Sequence, residues 1–526
     1  MSGAGPHRLP SEHQLQFLGR EVKAPQAAGS AIEHFWFEDA GFTLARARGQ
    51  YLLARSDGPI PEGWDEHRRH GWTLGVSKLP VVAVGNGLGE ELRWCIGYVL
   101  LAGHPPPRRL LLDTARSDSI DSDSINTFYE TVFGRYVLIL LLRKEERIYL
   151  DPYGSLATVY SQSEPIVAST PTLLGSAYSW NVPLITALRM PNSGLWFPGT
   201  LTARAGIRRL LPNHFLDLMA WRVARHWPRD HRDLSIGPNV ADTVKTIVVA
   251  LKGVVSSAAS QSLIYLPLTA GRDSRMLLAC AREHLRAMSC FTFREGRVVT
   301  VDTHVTKELA RRHGLEHVLL DIRYATREEL RRWLYLTGHS VSGEAWRIHK
   351  RLEGLDSNRR LLKGFGGEVG RGFFWLEGDA PRITITAANL LKRSGMPPQA
   401  ALVTEIEVWV KGLAGLTALD VLDLYYLEHR LGGWAGPHHY GGWVSGIELS
   451  PFNQRGVFAS MLKLPYEYRW KNSSRMTCAR ASGRSYWRCR SMSSRVPGGS
   501  FGVSSNVARR PCIRWRAPLS VAFARC

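Results

Sequence analysis

The chain has 526 residues, of which 44% are apolar, and its formal net charge is +21. This length and apolar content are enough for about two to four domains, each with its own hydrophobic core. The sequence does not open on a basic stretch followed by an apolar segment, and no apolar run approaches the roughly 18 residues of a membrane span, so we expect a cytoplasmic protein and exclude secretory and membrane classes.

The first 30 residues are predicted to be a disordered tail. Met1 is followed by small residues and a proline, and the stretch remains polar to about Ala31. Such a segment lacks the periodic apolar pattern that buries a strand or a helix. We therefore place the first folded domain at residues 31–228.

Phe133 to Ser155 is predicted to be a β-hairpin. An apolar strand leads into a charged turn at Arg143 to Arg147, and a second strand ends in Asp-Pro-Tyr-Gly. Further along the chain, Pro228 to Asn239 is charged and rich in turn-forming residues. We expect a domain boundary at this connection, with a second domain at residues 240–470.

The second domain begins with an apolar strand-like run that ends at Thr269 and turns directly into an amphipathic helix. A strand that runs straight into a helix leaves backbone N–H groups at the positive end of the helix dipole, where phosphate oxygens bind. Ala270 and Gly271 allow a ligand to approach the backbone, and the hydroxyls of Thr269 and Ser274 add donors. Asp273 would repel a phosphate unless a divalent cation bridged the two, which implies Mg²⁺. The alternative is an ordinary strand-loop-helix junction capped by Asp273 or Ser274.

Strands and helices alternate after this loop. Met288 to Phe293 and Val318 to Ile322 are strand candidates, and His304 to His313 between them is a helix candidate. This alternation favours a parallel sheet with helices on both faces. Ligands of such sheets bind at the carboxyl ends of the strands, which is where Asp273 falls.

The stretch Ala414 to Trp434 is predicted to be a helix, because its leucines recur at helical spacing. Three histidines, His429, His438 and His439, lie in or just after it. No His/Cys/Asp cluster in the sequence has the spacing of metal ligands. We therefore interpret these histidines as surface or packing residues.

Residues 471–526 have an unusual composition. They contain one lysine, eleven arginines and no acidic residue, so they supply +12 of the net charge, and they hold four of the seven cysteines. Arginine, serine, cysteine, tryptophan, glycine and proline enriched together are typical of a GC-rich coding sequence read in the wrong frame. The codons for Gly483 to Ser494 permit an acidic, leucine-rich segment in the shifted frame. We interpret the tail as a frameshift product that begins between about Lys471 and Met476; the alternative is a genuine disordered basic tail.

The loop from Thr269 to Ser274, called the first loop below, resembles the pyrophosphate loop of the ATP pyrophosphatase domain in asparagine synthetases and their relatives. That loop reads Ser-Gly-Gly-x-Asp-Ser, and Gly271, Asp273 and Ser274 match it. Threonine and alanine replace its first two residues. The chain contains no Gly-Lys-Ser/Thr, which excludes a Walker A loop.

Two later segments resemble the same family. Leu361 to Phe373, called the second loop below, is similar to a Gly-x-Gly-Gly-Asp-Glu loop, but the aspartate is missing and Glu368 would supply the carboxylate that faces a metal. Ile447 to Arg455 is similar to a Glu-x-Arg-x-Pro-Phe-Leu-Asp segment, with Glu448 and the Pro-Phe pair in place. The arginine and the final aspartate of that segment have no counterpart here.

The N-terminal region resembles the class II glutamine amidotransferase half of asparagine synthetase. The hairpin from Phe133 to Ser155 and the segment from Leu195 to Trp227 are its similar parts. Such a domain uses a cysteine at position 2 as its nucleophile, whereas this chain has Ser2 in a flexible tail that cannot hold an attack geometry. The resemblance, which covers roughly Phe133 to Arg455, therefore implies a degenerate amidotransferase-like domain without glutaminase activity.

The resemblance implies an α+β Ntn-like sandwich at residues 31–228, followed by an α/β doubly wound parallel-sheet ATP pyrophosphatase domain at residues 240–470. It implies ATP and Mg²⁺ as cofactors, with Asp273 and Glu368 at the metal and with Glu368 and Glu448 in catalysis. The residues expected at the ATP and its pyrophosphate are Leu268, Thr269, Ala270, Gly271, Arg272, Asp273, Ser274, Gly366 and Gly367.

Three functions are compatible with these features. The first is an ATP-dependent ligase that adenylates a small-molecule carboxylate, releases pyrophosphate and lets ammonia or an amine displace AMP. The second is a degenerate, non-catalytic relative. The third is an RNA-modifying enzyme with the same loop; we do not expect nucleic acid as a partner, because residues 1–470 carry only +9 of the net charge. A homodimer is compatible with all three.

Overall fold

The computed structural model describes residues 47–470, apart from 56–57, 59, 105–106, 113–118, 176, 238, 342–351, 353–354, 357 and 442–446. Both predicted tails, 1–30 and 471–526, lie outside the described residues, and so does the frameshift interpretation. The described part is a mixed α/β structure with three sheets. Two of them precede residue 226 and the third follows residue 263.

The N-terminal region forms two sheets whose strand pairs are antiparallel, apart from one parallel pair between β4 and β6. One sheet has the order β11-β9-β10-β1-β3-β2 and the other the order β13-β12-β8-β7-β5-β4-β6. Their strands are β1 (Tyr51–Arg55), β2 (Asp65–Arg69), β3 (Trp72–Val76), β4 (Val81–Gly85), β5 (Glu91–Leu101), β6 (Arg109–Leu111), β7 (Val132–Leu141), β8 (Glu146–Leu150), β9 (Val159–Ser161), β10 (Ile166–Ala168), β11 (Ile207–Arg209), β12 (His214–Asp217) and β13 (Arg222–Arg225).

Strand β7 is buried on both faces, which explains why its sequence is mostly apolar, with Arg135 as its one charged residue. Alternate side chains point to opposite faces of a strand. Val137 and Ile139 accordingly belong to the core between the two sheets, whereas Leu138 and Leu140 belong to a second core that includes Phe128 of a covering helix. The pairing of β7 with β8 confirms the predicted hairpin.

The third sheet contains only parallel pairs and has the order β16-β15-β14-β17-β18. This confirms the predicted parallel sheet, including the strands expected near residues 288 and 318. Strands β14 and β17 lie side by side although the chain passes outward through β15 and β16 between them. The sheet order therefore reverses between β14 and β17, which is where ligands of such sheets bind. The strands are β14 (Ile264–Pro267), β15 (Met288–Arg294), β16 (Glu316–Asp321), β17 (Arg360–Leu362) and β18 (Glu448–Leu449).

Helices precede, connect and follow these strands. The α-helices are α1 (Ser122–Thr131), α2 (Val182–Ala187), α3 (Val240–Gln261), α4 (Arg272–Cys280), α5 (Val301–His313), α6 (Arg327–Leu336), α7 (Ala387–Arg393), α8 (Ala400–Lys411), α9 (Ala418–Tyr425), α10 (Gly436–His438) and α11 (Arg455–Leu462). The 3₁₀-helices are Pro171–Leu174, His231–Leu234, Arg282–Ala287 and Gly367–Arg371. The helix predicted at Ala414 to Trp434 begins at Ala418 and continues as a π-helix, Tyr426–Ala435.

Helix α3 was not predicted from the sequence; it begins directly after the predicted domain boundary. Asn239 caps it, because its side-chain oxygen accepts from the N–H of Ala241. Among the described helices, α3 alone is long and apolar enough to cross a membrane, a test that core helices of soluble proteins also pass. Its residues Leu251 and Val255 lie in the same hydrophobic core as Leu266 of strand β14. The helix therefore packs as a core element of the α/β structure.

A buried ion pair joins the last strand of the N-terminal region to the π-helix. Both guanidinium nitrogens of Arg225 donate to the Glu428 carboxylate, at 2.5 and 2.8 Å. The same carboxylate accepts from the Asn213 amide at 3.0 Å and from the Trp409 indole at 2.7 Å. Burial raises the pKa of Glu428, but the Arg225 charge and these hydrogen bonds outweigh that effect and lower the pKa to about 2. Ionised Glu428 has the acceptor capacity for all four of these hydrogen bonds.

We predict that Glu428→Gln strongly destabilises the protein. Removing one partner of a buried pair leaves the other charge uncompensated and costs about 3–5 kcal/mol. Because the folded-state pKa lies below the unfolded value, this stabilisation is present above about pH 4.3 and is lost as the pH falls toward 2. Chemical unfolding as a function of pH measures both effects. Asp321→Asn in the exposed Arg294 pair is the control; an equal loss in both variants would contradict the assignment.

Candidate functional site

The first loop is organised by the hydroxyls of Thr269 and Ser274. The Thr269 N–H donates to Ser274 Oγ at 3.1 Å, and the Gly271 N–H donates to Thr269 Oγ1 at 3.0 Å. Helix α4 begins at Arg272, and glycine at its N-cap has no side chain to cap the first turn. Neither alternative capping residue therefore occupies the cap position. The loop holds the positive end of α4 at the carboxyl edge of strand β14.

An acidic oxygen already contacts this loop. The N–H of Ala270 donates to Asp302 Oδ1 at 2.7 Å, and Asp302 lies in the first turn of helix α5. Asp302 was not among the residues predicted from the sequence. Its contact indicates that the Ala270 N–H is oriented toward an anionic acceptor.

The second loop meets the first through its glycines. A Cβ atom on Gly364 would lie 2.8 Å from the Cβ of Asp273, and one on Gly367 would overlap the Asp273 carboxylate. Gly366 has a φ of +94°, a conformation that favours glycine. Among the predicted ATP-binding residues, Gly367 and Asp273 are therefore in direct contact, and the glycines are needed for the two loops to approach.

An arginine that sequence analysis missed joins the two predicted metal-binding carboxylates. Arg371 donates to both oxygens of Asp273, at 2.5 and 2.8 Å, and lies 3.9 Å from Glu368. Tyr426 of the π-helix donates to Glu368 at 2.9 Å. The signal in the sequence was the three-residue spacing of Glu368 and Arg371, which places both on one side of a 3₁₀ turn.

Burial and neighbouring charges shift the pKa values of Glu368 and Arg371. Burial raises the pKa of Glu368, and the neighbouring Asp273 charge raises it further. Burial alone would lower the pKa of Arg371, but the Asp273 carboxylate raises it. Asp273 and Arg371 thus form a stable ion pair, and the pKa of Glu368 lies above its ordinary value.

Arg371 takes the position between the two carboxylates where Mg²⁺ is expected. Both Asp273 oxygens accept from the guanidinium, and Glu368 lies 3.9 Å from the same cation, so the oxygens that would bind a hard cation already face a positive charge. The observed arrangement therefore does not fit an ion shared by Asp273 and Glu368. A Mg²⁺ site there stays a prediction that requires Arg371 to move away.

Glu448, the second predicted catalytic residue, lies in a separate buried cluster beside the second loop. Lys363 approaches Glu448 Oε1 at 2.8 Å, and His439 Nδ1 contacts Glu448 Oε2. Ser450 donates to the Phe365 carbonyl and so ties this cluster to the second loop. Lys363 follows strand β17 directly and is a second cation that sequence analysis missed.

The histidines of this region are buried. Ligand atoms of His438, His439 and Glu448 lie within 4.8 Å of one another, a proximity that the sequence spacing did not indicate. Glu448 is already engaged by Lys363, and the rings of both histidines stack on each other and pack against Phe365. Burial is the largest cause that lowers the pKa of each imidazole well below its ordinary value. We interpret these histidines as packing residues.

The remaining predicted residues have structural roles. Leu268 is buried, and its N–H donates to the Phe291 carbonyl at 2.8 Å, so it anchors the first loop to the sheet. Arg272 is the first residue of helix α4.

Comparison of the chain with protein-family models and with curated proteins gives no match. The resemblance to asparagine synthetases therefore stays a prediction, and a function has to be argued from the site.

We predict that Gly367→Ala separates the two loops. The added methyl group would overlap the Asp273 carboxylate, and overpacking of this kind costs about 1–3 kcal/mol. Thermal unfolding measures the loss. Gly87→Ala is the matched control, because a Cβ atom there meets no other atom within 4 Å. Equal stability of both variants would show that the loops do not depend on this contact.

Proposed function

We propose that the chain is an ATP-dependent ligase that forms an amide. A small-molecule carboxylate attacks the α-phosphate of ATP, pyrophosphate leaves, and ammonia or an amine displaces AMP. The observation that carries the proposal is the meeting of the first and second loops at the carboxyl ends of β14 and β17, the neighbouring strands where the sheet order reverses.

The first loop is assigned to the phosphates of ATP. Its support is the N-terminus of α4, with an uncapped glycine at its start, and an Ala270 N–H that already contacts a carboxylate oxygen. Small side chains at Ala270 and Gly271 leave room for the pyrophosphate. The ion pair with Asp273 holds Arg371 beside the first loop. Its guanidinium can neutralise the charge of a bound phosphate by donating to the phosphate oxygens.

The two carboxylates outside the first loop are assigned to the acyl-transfer step. Glu368, which accepts a hydrogen bond from the Tyr426 hydroxyl, is assigned to position the acyl group. Glu448 accepts the proton of the attacking amine, and Lys363 beside it offsets negative charge on the reacting groups. When bound, Mg²⁺ would supply further charge neutralisation at the phosphates.

The N-terminal region is assigned as a degenerate, Ntn-like amidotransferase domain. Its support is the pair of sheets packed across one hydrophobic core, together with the resemblance of the β7–β8 hairpin. We assign no glutaminase activity to this region, so ammonia or a separate amine substrate supplies the nitrogen. The proposal includes a cytoplasmic location, as expected for an enzyme that uses ATP and small metabolites.

A second candidate is a non-catalytic relative. The observation that favours it is the Asp273–Arg371 ion pair, because a carboxylate whose two oxygens are both engaged does not need a metal ion. In that case Arg371 replaces the cation and the site is purely structural. Binding of ATP separates the two candidates.

We predict that the full-length protein binds ATP and that Arg371→Gln weakens this binding at least about tenfold. A charge-assisted hydrogen bond contributes about 1.5–3 kcal/mol, and about 1.4 kcal/mol corresponds to a factor of ten. Calorimetric titration with ATP, with and without Mg²⁺, measures the affinity. Arg294→Gln, which alters an exposed ion pair outside the loops, is the matched control.

Pyrophosphate release from ATP in the presence of a panel of carboxylates tests the reaction itself. We expect release by the wild-type protein with its own acyl substrate and none by Asp273→Ala, which loses the contact between the loops. Absence of ATP binding by the wild-type protein, with and without Mg²⁺, would favour the non-catalytic candidate.

A further inference from the structure

The π-helix carries a buried cation, Arg430, that stacks on two tryptophans. Arg430 is 5% exposed, and its guanidinium carbon lies 4.0 Å from the ring centre of Trp434 and 4.7 Å from that of Trp196. Its Nη1 has no hydrogen-bond partner, and it forms no ion pair with any residue that the structure describes. Stacking on two tryptophans compensates part of the lost hydration but does not satisfy the N–H donors.

A second arginine, which forms no ion pair with a described residue, lies in the same cluster. Arg209 is 2% exposed, and its Nη1 donates to the Phe197 carbonyl at 2.9 Å. A Cβ atom on Gly433 would lie 2.7 Å from Arg209 Nη1 and 2.7 Å from Trp196 Cδ1, so the arginine and the indole flank this glycine. Within the described part of the chain, neither Arg209 Nη2 nor Trp196 Nε1 has an acceptor.

A neutral histidine adds a fourth donor near Arg209. His429 Nδ1 accepts from the Gly199 N–H at 2.9 Å, which leaves the ring proton on Nε2. That nitrogen is buried and has no partner among the described residues. Burial, with a further contribution from the Arg209 charge, lowers the pKa of His429 to about 3, so the ring is an uncharged donor at neutral pH.

The acidic groups around this cluster are already committed. Glu428 is bound by Arg225, Asn213 and Trp409. Glu405 accepts from Arg208 at 3.0 Å and also binds Thr200. Neither carboxylate forms an ion pair with Arg209 or Arg430. Two buried guanidinium groups without counter-ions are unfavourable unless an anion binds them.

The cluster lies close to the proposed reaction site. Arg430 follows Tyr426 by four residues on the π-helix, and the Tyr426 hydroxyl donates to Glu368. The Glu368 charge is near enough to raise the pKa of Arg430, although burial as the larger effect lowers that pKa to about 10. A ligand anion on Arg430 would therefore lie next to the carboxyl group that we assign to acyl transfer.

We propose that Arg430, Arg209 and Trp196 form an anion-binding site for a second carboxylate of the acyl substrate. This inference rests on the proposed function and restricts its substrate to acids that carry an anionic group besides the reacting carboxylate. Arg430 and Arg209 neutralise that group, and the Trp196 indole donates to one of its oxygens. The substrate is thereby oriented with its reacting carboxylate toward Glu368 and the first loop.

Anion-dependent thermal unfolding of the full-length protein tests the site. The probes are acetate, succinate and inorganic phosphate, each compared with chloride at equal ionic strength, because a ligand that binds only the folded state raises the melting temperature in a saturable way. We expect succinate and acetate to stabilise the wild-type protein. In Arg430→Met the response should vanish, while the melting temperature in chloride should equal or exceed that of the wild type, since an uncompensated buried charge is removed.

Arg93→Met is the matched control, because Arg93 is equally buried but has an ion-pair partner in Glu91. We expect this variant to lose stability and to keep the anion response. Arg430→Gln and Arg209→Met repeat the test in case Arg430→Met does not fold. An unchanged response in all Arg430 and Arg209 variants would overturn the site. A response to phosphate but not to the carboxylates would overturn the assignment to the acyl substrate.

Titration of ATP into the same samples keeps the two proposals apart. If ATP does not bind but succinate stabilises through Arg430, the proposed ligase function fails and the anion site stands. If ATP binds and succinate has no effect that depends on Arg430, the anion site fails and the nucleotide site stands.

Discussion

The contact between Asp273 and Arg371 is the interaction on which the candidate site depends. It joins a loop after strand β14 to a loop after strand β17, and these strands are neighbours only because the sheet order reverses between them. Two glycines allow the loops to meet, and one guanidinium holds them together. The same interaction decides the electrostatics, because it supplies a positive charge where the resemblance to asparagine synthetases implies a metal ion.

Buried polar groups connect the N-terminal sheets to the α/β region. The Asn453 side chain, just after strand β18, donates to the Gly134 carbonyl at 2.7 Å and to Asp151 at 2.8 Å, both in or beside the β7–β8 hairpin. The Arg225–Glu428 ion pair likewise connects strand β13 to the π-helix. Such groups contribute little net stability, but each is costly to separate from its partner. They therefore fix how the π-helix, with Tyr426 and Arg430, is positioned beside the second loop.

Sequence patterns predicted the local elements where an apolar run was bounded by charged or turn-forming residues. The β7–β8 hairpin and strands β15 and β16 follow from apolar runs interrupted by charged turns. Helix α3 was missed because the second domain was expected to begin with the strand that ends at Thr269, although Asn239 is a good N-cap. The change from α-helix to π-helix at Tyr426 has no sequence pattern that periodicity can detect, because both helices place apolar residues on one face.

The sequence by itself determined the positions of the first loop, the glycine-rich second loop and the parallel strands, because strand, turn and helix preferences act over a few neighbouring residues. It also named Asp273, Glu368 and Glu448. Only the tertiary structure decided their partners: Arg371 for Asp273, Tyr426 for Glu368, and Lys363 with His439 for Glu448. The sequence did not predict the cluster of Arg209, Arg430 and Trp196 either, because Arg430 lies more than 200 positions from the other two residues. Electrostatic partnership depends on distance in space and on burial, and neither can be obtained from local sequence preference.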